Sequence, residues 1–64
     1  MTVYLTKDST GLIQLWKNKP RRTNDECGGY IWFSHSEIGI EVNNVLWEYM
    51  RDYDTNTVVP VNLP

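Results

Sequence analysis

The chain reads as an α+β domain, mostly β: a small antiparallel sheet of four to five strands, flat or curled like a barrel, with one short helix near 44–51. Three observations predict it. Short runs rich in β-branched, aromatic or alternating apolar residues recur at 2–7, 12–17, 30–34, 38–42 and 58–63. Polar, Gly- and Pro-bearing segments separate them. One segment carries apolar residues at helical spacing. With 64 residues, everything belongs to a single domain, 1–64, near the lower size limit for independent folding.

Each element follows from its residues. Asp8-Ser9-Thr10-Gly11 is type I turn chemistry closed by a glycine suited to the left-handed position, so 2–17 forms a β-hairpin. The polar stretch 18–29, with Pro20 and Gly28-Gly29, reads as a surface loop. Residues 30–34 make a third strand. Ile38, Ile40 and Val42 then alternate with Gly39 and Glu41 at the period of a half-buried strand. Val45, Leu46, Tyr49 and Met50 fall on one helical face, with Asn43 or Asn44 as N-cap. The competing reading of that segment is a turn at 43–47 followed by a strand at 48–53. Asp54 to Thr57 turns the chain, and Pro60 confines the final strand to a sheet edge.

Alternation across the sheet places Val3 and Leu5 with Ile13 and Leu15, and the third strand adds Ile31 and Phe33 to that face. The opposite face receives Tyr4, Leu12, Trp16, Tyr30 and Trp32. One helix can cover only one of two apolar faces. Either the sheet curls into a small barrel, or the aromatic face is left for a partner.

Charge points to the same place. Residues 1–22 hold five cations against one acid, about +4, whereas 23–64 hold seven acids against Arg51, about −6. Four cations crowd into 17–22. The candidate binding site is therefore Trp16, Lys17, Lys19, Arg21, Arg22, Tyr30 and Trp32. Aromatics beside cations suit a protein hot spot, and equally suit base stacking with phosphate neutralisation. Against both stands the plainer reading, in which the rings are core and the cations a solvated loop.

Other chemistry-bearing residues read as structural. Cys27 lies among acids, which oppose thiolate formation, and one cysteine excludes an internal disulfide. His35 between Ser34 and Ser36 is a solvated strand-end histidine, because adjacent side chains point apart and cannot form a triad. Glu41, Glu48, Asp52 and Asp54 match no calcium loop and read as a solvated acidic surface. No cofactor, catalytic or metal site is expected. The amino terminus lacks the pattern of a signal peptide, and no run approaches the length of a membrane span, so a cytoplasmic protein without membrane contact is expected.

Tyr4-Leu5, Asp8, Gly11, Leu15, Lys19-Pro20, Trp32, Trp47-Glu48 and Pro60-Val61 recur in an order that resembles a group of short hypothetical proteins of bacteriophages and mobile elements. That group places Phe-Pro ahead of Trp-Glu, where this chain has Val45-Leu46. The resemblance implies a small protein that binds a host protein in the host cytoplasm. The expected function is thus a non-enzymatic, phage-type interaction or anti-defence protein occluding a host protein through the aromatic face and the 17–22 loop. A nucleotide or single-stranded nucleic-acid binder using that face is the first alternative, and a homo-oligomeric structural protein the second.

Overall fold

A computed structural model describes residues 1–24, 28–54 and 56–64. Its elements are β1 (Thr2–Lys7), β2 (Ile13–Trp16), β3 (Arg21–Asn24), β4 (Tyr30–Phe33), β5 (Ile40–Glu41), α1 (Asn43–Met50) and β6 (Val59–Asn62). They form a four-stranded antiparallel sheet in the order β5-β2-β1-β6 and a separate hairpin, β3-β4. The mostly β, one-helix fold predicted from sequence is present. The main sheet ends in β5 and β6 and does not close, so the barrel alternative is set aside.

The first hairpin forms as its turn residues dictate. Gly11 takes φ 90°, and its N–H donates to the Asp8 carbonyl at 3.0 Å. The buried Asp8 carboxylate accepts from Thr10 N, Thr10 Oγ1 and Leu12 N at 2.9, 2.6 and 3.1 Å, so one side chain ties the whole turn. In the register, Leu5 faces Leu15, Tyr4 faces Trp16 and Thr6 faces Gln14.

Val3, Leu5, Ile13, Leu15, Val59 and Val61 therefore share one face, as expected from alternation. The core forms there, where Leu5, Ile13, Met50 and Val59 pack with Leu46 and Val42. The helix prediction holds, and the turn-plus-strand reading of 43–53 does not. Its inward face is narrower than expected: Leu46 and Met50 point in, while Val45 and Tyr49 stay exposed. Neither asparagine caps the helix. Val42 occupies the N-cap without a side-chain bond, and Asn43 instead accepts from Ile13 N at 2.8 Å and donates to Gly11 O at 2.9 Å. This clamps the helix start to the beginning of β2. At the other end, the Lys7 ammonium donates to the carbonyls of Met50 and Arg51 at 3.0 and 3.2 Å, a cation at a helix C-terminus.

Three further expectations change. Residues 21–24, read as loop, are a strand paired with β4. Ile31 and Phe33 do not join the core face; they are exposed on the hairpin. The strand expected at 38–42 shrinks to Ile40–Glu41, followed at once by the helix. Pro60 does lie on an edge strand, β6. No helix among the described residues is long and apolar enough to cross a membrane.

Candidate functional site

The seven residues grouped from sequence do not share a surface. Trp16 is 3% exposed, and its indole N–H donates to Thr6 Oγ1 at 2.9 Å, which satisfies two buried polar groups at once. The chain at Gly39 passes directly over the ring. Trp32 is 7% exposed and donates its indole N–H to the Lys7 carbonyl at 3.2 Å. Two buried indoles cannot serve as stacking platforms or as the centre of a docking face. The expected open aromatic face is instead internal, because the 34–39 connection and the β3-β4 hairpin cover the side of the sheet that the helix leaves bare.

Pairing in the hairpin explains where its residues go. Arg22 lies opposite Trp32 and Asn24 opposite Tyr30, so these four share the inward side. The Arg22 guanidinium sits over the Tyr30 ring, 4.7 Å from its centroid, and also donates to Asn56 Oδ1. Tyr30 is half-buried, and its backbone is pinned to the first turn: Ser9 N donates to Tyr30 O at 3.3 Å and Tyr30 N donates to Ser9 Oγ at 3.1 Å. Arg22 and Tyr30 are thus committed within the molecule.

Lys17, Lys19 and Arg21 are exposed. The backbone leading into them is fixed by Glu37, whose carboxylate accepts from Lys17 N at 3.0 Å and from Asn18 N at 2.7 Å. Those two backbone bonds, the Lys17 bond first, hold the Glu37 carboxyl below its usual pKa. The side chains of Lys19 and Arg21 make no hydrogen bond or ion pair with another described residue.

What the structure does bring together was missed from sequence. Arg21 lies directly across from Phe33, and Thr23 across from Ile31, on the outward side of the hairpin. Ile31 and Phe33 are 40% and 44% exposed. The His35 ring meets Phe33 edge-on, with centroids 4.9 Å apart. The outcome is a strand-mounted surface of Arg21, Ile31, Phe33 and His35, with Lys19 preceding it. Alternation in Tyr30-Ile31-Trp32-Phe33 contains this pattern, since burying Trp32 must expose its two neighbours. The sequence offered no rule for choosing which pair went in.

The remaining candidates are placed as follows. Among the described residues, no group of three His, Cys, Asp or Glu could hold a metal ion. Glu41, Glu48, Asp52 and Asp54 are exposed. Asp54 accepts from Thr57 Oγ1 at 2.7 Å and from Asn56 N at 2.8 Å, and these bonds, the Thr57 hydroxyl first, lower its pKa. Cys27 lies outside the described residues. No family model, no curated protein and no solved structure matches this chain.

Proposed function

We propose that the protein is a non-enzymatic binding domain that occludes a partner protein through the outer face of the β3-β4 hairpin. The supporting observation is Arg21 set beside exposed Phe33 and Ile31 on paired strands. An arginine, an aromatic and an aliphatic on a hydrogen-bonded scaffold form a small anchor cluster of the kind that dominates protein interfaces. Lys19 and Arg21 favour an acidic rim on the partner, and they speed its approach more than they tighten the final contact. In the setting implied by the residue-order resemblance, the partner is a host protein and the role is anti-defence.

Single-stranded nucleic acid is the competing ligand for the same cations. The burial of Trp16 and Trp32 removes the platforms on which that reading leaned, leaving Phe33 and His35 as the exposed rings near them. Affinity capture with wild-type, Phe33→Ala and Arg21→Glu baits separates the two, with circular dichroism confirming that each bait is folded. A protein retained by wild type and lost by both variants is the expected result. Fluorescence anisotropy with an oligothymidine probe is run in parallel. Binding to that probe which weakens steeply with salt and disappears in Arg21→Glu would replace the protein-partner reading with the nucleic-acid one.

A further inference from the structure

We infer that the protein binds a single-chain anionic amphiphile, a medium-chain fatty acid, on the part of its main sheet that the helix leaves open. The alkyl chain lies in an apolar groove beside α1, and the carboxylate pairs with Lys17. This site is on the main sheet and does not rest on the hairpin reading.

The helix covers only one end of its face. Leu46 and Met50 of α1 pack with Leu5, Ile13 and Val59, and the next row of the sheet, Val3 opposite Val61, lies beyond them. Two grooves open there. One, of about 320 Å³, has a floor of Val3, Leu15 and Val61 and a helix wall of Leu46 and Tyr49. The other, of about 450 Å³, runs past Leu15 to Ile38 and Ile40. Val3, Leu15 and Leu63 line both, so the two are continuous. Small-molecule sites take roughly 300–1,000 Å³ and are mostly apolar with a few placed polar groups.

Charge at the end of this channel selects the head group. Alternation from Leu15 turns Lys17 to the same face, and Lys17 borders the groove together with Ile38. Its side chain is exposed, and its ammonium has no hydrogen-bond or ion-pair partner among the described residues. The acid bordering the same groove is Glu37, whose two carboxylate oxygens accept from the backbone N–H groups of Lys17 and Asn18. Those two donors partly offset its charge, and the Lys17 ammonium remains available to an incoming anion.

An alkyl chain suits the groove better than an extended polypeptide. Strands β1 and β2, which carry Val3 and Leu15, are paired on both sides. The floor therefore offers apolar side chains and no partner for an inserted amide, whereas an alkyl chain needs none. Strands about 4.8 Å apart put Val61 roughly 10 Å from Lys17, with β1 between them. Carbon–carbon bonds of about 1.5 Å give an extended chain of about ten carbons that reach. Leu46 and Tyr49 then flank the chain on one side, and Leu63, bonded to Met1, on the other.

NMR titration with decanoate tests this through the methyl signals of the groove. Decanoate should shift Val3, Leu15 and Val61 and saturate as a single site. Decyltrimethylammonium, the same chain with a cationic head, should bind more weakly. Lys17→Glu keeps the backbone N–H that Glu37 accepts from, and should weaken decanoate binding about fivefold, the scale of an exposed ion pair. Leu63→Asp, at a 42% exposed position, should weaken both amphiphiles with circular dichroism unchanged. Arg21→Glu should leave decanoate binding intact, so failure of the hairpin reading and failure of this one are read separately. A wild type that shows no saturation at millimolar decanoate overturns the proposal. So do equal affinities for the two amphiphiles, or decanoate binding unchanged in Lys17→Glu, either of which makes the groove a surface for any detergent. Groove signals that shift with protein concentration alone, with a mass above 7.5 kDa, also overturn it and assign the groove to a second copy.

Discussion

A Cβ built on Gly39 would stand 2.6 Å from Cζ2 of the Trp16 indole and 2.9 Å from the Gln14 amide nitrogen. The indole cannot retreat, because it is 3% exposed and bonded to the fully buried Thr6 hydroxyl. Glycine is required here for space, unlike Gly11, where φ 90° requires it for conformation. Gly39→Ala should therefore destabilise the domain by about 1–3 kcal/mol, the usual cost of overpacking. Urea denaturation measures it. A midpoint equal to wild type would mean that the 34–39 connection does not lie on the ring.

Among the elements, the connection between β4 and β5 has an anchor that the strands around it lack. Glu37 closes the turn after β2 by accepting two backbone N–H groups that have no ladder partner. Its folded pKa lies below the usual 4.5, so its contribution is fully present above that value and is lost as pH falls through the lower folded one. Acidification should release the Lys17 and Asn18 amides before the main sheet unfolds. Their amide shifts, followed by NMR across that window, should titrate with Glu37 and stop titrating in Glu37→Gln. Titration that persists in the variant would assign the transition to another carboxylate.

For the whole molecule, cohesion is uneven. The main sheet and α1 share the Leu5, Ile13, Met50 and Val59 core, whereas β3-β4 is a two-stranded hairpin pinned through Ser9 and the Trp32–Lys7 bond. Two strands alone are marginal in water, so opening of the hairpin should precede global unfolding. Amides in β3 and β4 should exchange with solvent roughly tenfold or more faster than those of β1, since each 1.4 kcal/mol of local stability is a factor of ten. Equal protection would make the hairpin part of the same cooperative unit. A partner that docks on Phe33 and Ile31 would then gain nothing by ordering it.

Sequence by itself determined the local elements. Asp8 and Gly11 made the first turn, alternation set Val3 and Leu5 with Ile13 and Leu15, Pro60 placed its strand at an edge, and apolar spacing made a helix near 44–51. Each of these rests on forces between residues a few positions apart. Tertiary structure decided which rings were inside. Trp16 and Trp32 were buried because the distant chain at Gly39 closes over one indole and the Lys7 carbonyl, 25 residues away, accepts from the other, and that choice turned Phe33 and Ile31 outward. It also divided the cations, a matter that composition could not foresee. Lys7 was spent on the helix end and Arg22 on Tyr30 and Asn56, leaving Lys17, Lys19 and Arg21 at the surface. Charge segregation is a property of the chain, but its availability to a partner depends on long-range contacts that satisfy some charges and leave others in water.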